Sequence, residues 1–247
     1  RKIGPMKHLI KTSILLVVLL FACKKEDSPN PVTGSLAIKF DHSVDGQAVS
    51  FEDTYYTNAA GNQYRILMLK YLISGVSLYK NGKRTFRQNT PPQVISGKYE
   101  HTQTLLLRNI PVGNHDSISF SLGAVREFNY DNAFELGYDD LGMYWPTSMG
   151  GGYHFMRFEG HWKDGADYGG YAFHIGQNEN LITTGFPVEI VIEENVSTNV
   201  GFEMNLNEWF ENPHLYDLKI ESGYTMGDTI KMNMLVQNGH NVFSVKN

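Results

Sequence analysis

The side chains in this sequence that could bind a metal are histidines, and His174 is the first of them. Its segment, residues 171–176, reads YAFHIG. Side chains alternate between the two faces of a strand, so His174 points away from the face of its large apolar neighbours. That second face either contacts solvent or forms a binding site. Neutral imidazole binds Cu(I), Cu(II) and Zn(II), and copper is the divalent first-row ion that it binds most tightly. His174 is therefore a candidate copper ligand.

His42 closes an apolar row on the first predicted strand. Leu36, Ile38 and Phe40 share one strand face with it, since residues two apart lie on the same side. The ring could belong to a core histidine that bonds a backbone carbonyl, or to a ligand at the end of the row. The residues alone leave both interpretations open.

His154 and Trp145 are two further candidates with two interpretations each. His154 has the same parity as Met156 and Phe158, which predicts a packing role, with metal ligation as the second option. Trp145 is either a structural aromatic residue beside Tyr144 or a neighbour of a metal. Exposure to solvent is predicted for a further set of histidines: His101, His115, His214 and His240.

The elements that position these residues are strands. From Ser35 onward apolar and polar residues alternate, and the alternation breaks at glycine, asparagine, aspartate and proline. Strands are predicted at 36–42, 64–79, 103–108, 117–122, 153–159, 170–175, 188–193, 200–204, 215–220 and 229–236. Only short helical turns are expected, such as 207–211 with Asn207 as N-cap. The pattern predicts an all-β domain, an antiparallel β-sandwich of Greek-key type or a barrel.

The N-terminal segment has the features of a lipoprotein signal. Residues 6–23, MKHLIKTSILLVVLLFAC, combine two lysines, a short apolar run and a lipobox-like end. We predict a leader over 1–23 with lipidation at Cys23, a flexible tether over 24–34, and a single domain over 35–247. The protein would then be an outer-membrane lipoprotein, periplasmic or surface-exposed, held to the membrane by its lipid.

The composition and the absence of certain motifs argue against several classes of function. The net charge of -5 and the scattered lysines and arginines offer no basic surface for nucleic acid. Cys23 is the only cysteine, so the domain has neither a disulfide nor a thiolate ligand. The sequence contains no Gly-x-Ser-x-Gly elbow, no phosphate-binding loop and no His-Glu-x-x-His motif. We expect a protein that is not an enzyme.

Four motifs in order carry a family resemblance. They read KFDHSVDG at 39–46, YTNAAGNQY at 56–64 with LISGV at 72–76, MYW at 143–145 leading through GGGY to FEG at 158–160, and FHIG at 173–176. Together they resemble the MbnP-like family, periplasmic or lipid-anchored proteins named for a copper-binding partner of methanobactin operons. The resemblance runs from about residue 36 to beyond residue 206.

The resemblance implies a β-sandwich that holds copper with histidine nitrogens. It assigns His42 and His174 as ligands and Trp145 as a tryptophan that a dihaem peroxidase-like partner oxidises to kynurenine. Residues 146–152, PTSMGGG, depart from the shorter bridge of many relatives, and the sequence leaves the position of Trp145 open there.

The expected function is a lipid-anchored copper-binding protein of the cell envelope, used in copper acquisition, storage or delivery. The alternative is a surface module that binds glycan or protein without a metal. Aromatic residues suited to stacking on sugars support that alternative, at Tyr55-Tyr56, Tyr144-Trp145 and Tyr168 to Tyr171.

Overall fold

The computed structural model describes Arg1, residues 31–221 and residues 223–246. Cys23 and the other residues from 2 to 30 of the predicted leader and tether lie outside the described residues. The strands are β1 (Thr33–Val44), β2 (Gln47–Ala48), β3 (Tyr56–Thr57), β4 (Gln63–Lys80), β5 (Lys83–Arg87), β6 (Gln93–Ser96), β7 (Thr104–Pro111), β8 (Gly113–Leu122), β9 (His154–Asp164), β10 (Asp167–Gly176), β11 (Ile182–Ile192), β12 (Ser197–Asn205) and β13 (Phe243–Lys246).

The helical segments are few and short compared with the main strands. The α-helix α1 covers Thr229–Asn238, and 3-10 turns cover Glu100–Thr102, Arg126–Phe128, Tyr138–Met143, Thr147–Met149, Asn178–Asn180 and Leu206–Phe210. Across the described ranges, no helix is both long and apolar enough to cross a bilayer.

The strands form two sheets packed as a sandwich. The first sheet has the order β13-β12-β1-β2, with β7 also paired to β1. The second has the order β10-β9-β4-β8-β11, with β3, β5 and β6 paired to β4. The predicted all-β sandwich is confirmed. One pair departs from the antiparallel expectation, because β1 and β12 run parallel. Alternation of residues carries no information on strand direction.

Aromatic side chains fill the space between the sheets. Phe120 of β8 lies 5.4 Å from Phe40, 5.0 Å from Phe202 and 5.1 Å from Phe243 between ring centroids. All three contacts are edge-on, an arrangement that aromatic rings favour over face-to-face stacking. Phe120 therefore joins the second sheet to three strands of the first.

Two predicted strands near the C-terminus are wrong. Residues 229–236, where a strand was expected, lie in the helix α1, whose N-cap Asp228 accepts from the backbone N–H of Lys231 at 3.0 Å. The apolar residues allow both readings, but the structure buries Met232 and Leu235, three apart, and leaves Ile230 exposed. Spacing by three is that of a helix face.

The other wrong strand is 215–220, which forms turns. The expected helical turn at 207–211 is a 3-10 turn over Leu206–Phe210. Its cap is Asn205 rather than Asn207, because the side-chain oxygen of Asn205 accepts from the backbone N–H of Asn207 at 3.3 Å.

We predict that Phe120→Ala lowers the free energy of unfolding by about 3–5 kcal/mol, because it removes a ring that bridges the sheets and leaves a cavity. Chemical denaturation measures the change. The matched control is Leu106→Ala, which truncates an apolar side chain that is 42% exposed and should change stability by less than about 0.5 kcal/mol. Equal losses in both variants would contradict this account of the core.

Candidate metal centre

Two imidazoles and one indole meet on the outer face of the second sheet. The rings of His154 on β9 and His174 on β10 lie 4.9 Å apart between centroids and nearly perpendicular, at 87°. The indole of Trp145 lies 4.7 Å from the His154 ring. Trp145 and His154 are buried, at 2% and 5% exposure. The structure therefore places three of the sequence-derived candidates in one cluster.

A β-bulge brings His154 to this face. In the pairing of β9 with β10, Met156 lies opposite Ile175, but His154 lies opposite Gly176, so that Phe155 is an extra residue. An extra residue reverses the alternation beyond it. His154 consequently leaves the core face of Met156, so the strand face that its parity predicted is wrong. The bulged strand carries no glycine or proline over residues 153–159 that would mark the bulge in the sequence.

The segment that follows Trp145 forms a short loop. The backbone N–H of Trp145 donates to the carbonyl of Gly152 at 2.9 Å, and the neighbouring Tyr144 and Tyr153 form a β-bridge. Residues 146–151 therefore form a loop that closes on itself. Trp145 remains at the base of this loop, at the start of β9, beside His154.

Gly176 is needed for the indole to approach. A Cβ at this position would overlap the six-membered ring of Trp145. The indole N–H in turn donates to the carbonyl of Met149 at 3.1 Å. The ring of Trp145 is thus held between the sheet and its own loop.

The imidazoles carry nitrogens that could bind an ion. Both ring nitrogens of His154 and Nδ1 of His174 are buried and make no well-formed hydrogen bond among the described residues. Burial, together with the charges of His174 and Arg157, lowers the pKa of His154 to about 3, against the opposing effect of the nearby backbone of Met143 and Tyr144. His154 is therefore neutral near pH 7, the form that binds metals. Buried polar atoms without partners are rare, and a metal ion would satisfy these.

A carboxylate supports His174 from the other side of its ring. Glu159 Oε1 lies 2.8 Å from Nε2 of His174 and 2.7 Å from Nη2 of Arg157. The hydrogen bond with His174 and the charge of Arg157 lower the pKa of Glu159 to about 2 despite partial burial. Glu159 is a carboxylate at neutral pH and can orient the imidazole, a common feature of metal sites.

His42 lies elsewhere. Its Nε2 is hydrogen bonded to the hydroxyl of Tyr71 at 3.0 Å, and Tyr71 is a buried core residue of β4. His42 thus reaches into the space between the sheets, whereas His174 projects from the opposite face of the second sheet. The structure does not bring His42 and His174 together, which corrects the expectation that they bind one ion. Alternation predicted the faces of His42 and His174 but not which strands become neighbours.

No larger cluster of ligands surrounds the site. Within the ranges that the structure describes, no group of three or more histidine, cysteine, aspartate or glutamate side chains is arranged to hold a metal. The centre therefore consists of two imidazoles with an indole beside them, and further ligands would have to come from elsewhere.

One other expectation is corrected. His115 is buried, at 5% exposure, and its Nδ1 is hydrogen bonded to the Thr85 hydroxyl at 2.8 Å. Of the aromatic residues expected for glycan stacking, Tyr56, Trp145 and Tyr171 are buried, whereas Tyr55 and Tyr168 are exposed, at 40% and 85%.

Comparisons with known proteins give a family. The MbnP family model matches residues 33–228. Among solved structures, MbnP from Methylosinus trichosporium is similar, with 14% sequence identity and a TM-score of 0.46, over 74% of this chain and 79% of that chain. A similarity of this degree supports no conclusion about the site. No curated protein matches the sequence.

We predict that His42 makes stability depend on pH. Burial lowers the pKa of His42 to about 4 from 6.5, so the unfolded chain takes up a proton first as pH falls. The contribution of neutral His42 to the free energy of unfolding is complete above pH 6.5 and decreases as the pH falls toward 4. Between pH 7 and pH 5 the wild type should lose roughly 1–2 kcal/mol through this group.

Denaturation of His42→Gln at the two pH values measures the effect, and the loss should be smaller than in the wild type. His161→Gln, at an exposed position, is the control and should retain the wild-type dependence. An unchanged dependence in His42→Gln would show that this histidine is not the source.

Proposed function

The chain belongs to the MbnP family, and on this basis we propose that it binds a copper ion between His154 and His174. The family is linked to copper and to methanobactin. The observation that carries the proposal is the pair of imidazoles, 4.9 Å apart, with three buried ring nitrogens that make no well-formed hydrogen bond among the described residues.

The donor set suits copper. Imidazole nitrogens bind borderline and soft first-row ions at about 2.0–2.1 Å, so two rings that share an ion must lie within a few ångström of each other, as these do. The affinity order for divalent ions favours copper over the other first-row metals. A bound copper ion would supply a one-electron redox centre and would satisfy nitrogens that otherwise remain buried without a partner.

Trp145 is the third member of the proposed site. Its ring lies 4.7 Å from His154 and is sequestered from solvent, so its edge forms a wall of the space beside the imidazole. We extend the proposal to a modification that the family resemblance implies, oxidation of this indole to kynurenine by a dihaem peroxidase-like partner. The two other tryptophans, Trp162 and Trp209, lack this position beside a histidine pair.

The proposed setting is the cell envelope. The leader features of residues 6–23 and the lipobox cysteine Cys23 support a lipid-anchored protein of the outer membrane, periplasmic or surface-exposed. The proposed role is not catalytic and consists of copper acquisition, storage or delivery. A site of only two imidazoles suits a protein that must also release its metal.

We predict that protein lacking the leader retains one copper ion per chain after gel filtration. His154→Ala and His174→Ala should each abolish retention, because a single imidazole is a poor ligand. The control is His42→Ala, which removes a histidine outside the cluster and should retain copper. Metal analysis gives the ratio of copper to protein. An unchanged ratio in the His154→Ala, His174→Ala double variant would refute the site.

We predict that a modification, when present in protein from its native cells, maps to the peptide that contains Trp145. Recombinant protein made without the oxidising partner should carry an unmodified residue there. Intact-mass measurement and peptide mapping compare the two preparations, with the peptides of Trp162 and Trp209 as internal controls. A modification found on either of those peptides instead would contradict the assignment.

A further inference from the structure

We propose that Glu159 is a positioning residue that places the ring proton of His174 on Nε2 and thereby makes Nδ1 the metal donor. The proposal rests on the proposed function, because the choice of nitrogen matters only when the ring binds an ion.

The hydrogen bonds that Glu159 accepts determine which ring nitrogen of His174 carries the proton. Its Oε1 accepts from Nε of Arg157 at 2.9 Å and from Nη2 at 2.7 Å, and a guanidinium can only donate. The same oxygen lies 2.8 Å from Nε2 of His174. An ionised carboxylate can only accept. His174 must therefore donate from Nε2, and in the neutral imidazole Nδ1 is left with a free lone pair.

The His174 nitrogen that keeps its lone pair is the buried one. Nδ1 of His174 is buried and has no partner among the described residues, while the Glu159 bond occupies the opposite side of the imidazole. The backbone of His174 is held as well, since its N–H donates to the Thr225 hydroxyl at 2.8 Å and its carbonyl accepts from that hydroxyl at 2.9 Å. Both the proton and the ring are thus fixed before a metal arrives.

Arg157 connects this arrangement to the segment that carries Trp145. Its Nη1 donates to the carbonyl of Gly142 at 3.0 Å, in the 3-10 turn Tyr138–Met143 that ends two residues before Trp145. Lys70 holds the same turn through Asp140 at 2.7 Å. One guanidinium therefore aligns the carboxylate with His174 and anchors the indole side of the cluster.

Removing the acceptor tests the proton position. In Glu159→Leu no side-chain oxygen faces Nε2, so the ring proton is no longer fixed there, and the Nδ1–H tautomer, which cannot bind a metal through Nδ1, becomes populated. In Glu159→Gln the oxygen that contacts both Arg157 and His174 can still accept from Nε2, so the wild-type tautomer should persist. Glu159→Asp retains an acceptor that cannot donate and should keep the wild-type tautomer. The matched control is Glu127→Gln, which alters an exposed carboxylate paired with Arg87.

The test has two parts. Long-range proton–nitrogen NMR of metal-free, histidine-labelled protein reports the tautomer directly. We expect Nε2–H in the wild type, Glu159→Asp, Glu159→Gln and Glu127→Gln, and a mixture of Nε2–H and Nδ1–H in Glu159→Leu. Copper affinity, measured by competition with a chelator, should fall about 10- to 100-fold in Glu159→Leu and remain at the wild-type value in Glu127→Gln.

The outcomes separate the two proposals. An Nδ1–H tautomer in the wild type overturns the positioning role without any variant, even when Glu159→Leu does not fold. Copper binding that is equally tight in the wild type and Glu159→Leu also overturns it and leaves the proposed function standing. A wild type that shows Nε2–H yet binds no copper supports the assignment to Glu159 and refutes the proposed function.

Discussion

One extra residue in β9 decides which side chains meet on the outer face of the second sheet. A regular strand would send His154 into the core with Met156, where a bare imidazole would lie among apolar rings. The bulge at Phe155 reverses its direction and sets it against His174 and Trp145. The local bend costs ladder hydrogen bonds, and such bulges are concentrated near functional sites because they re-aim side chains. The cluster, its burial and its neutral charge state all follow from this irregularity.

The cluster also depends on polar groups that hold it from outside. Arg157, Glu159 and Lys70 lie on the outer face of the second sheet, and each is engaged by a partner of opposite charge. Their bonds tie the turn Tyr138–Met143 onto the sheet and shield the imidazoles from water. A partly buried pair such as Arg157 with Glu159 contributes little net stability. The pair matters here for geometry, because a guanidinium and a carboxylate in fixed positions restrict the orientation of the neighbouring His174 ring.

Sequence reasoning succeeded where a property is local. Alternation predicted the all-β class and the outward face of His174, and ordered motifs predicted the family. It failed where the answer depends on distant parts of the chain. The face of His42 could be predicted, but its neighbour Tyr71 belongs to the other sheet, and no periodicity encodes that pairing. Residues 229–236 failed for another reason, because short apolar spacings fit a strand and a helix equally well.

The parallel pairing of β1 with β12 has a consequence for how the chain acquires its structure. Register partners such as Phe40 and Phe202 are separated by most of the domain, so closing that ladder requires a very long loop, and such non-local pairing slows folding. β1 leaves the ribosome early, and one of its edges stays open until β12 has been made. Until then a newly synthesised chain exposes an apolar strand with an unpaired edge. Such an edge can pair incorrectly with other chains and is a binding site for chaperones.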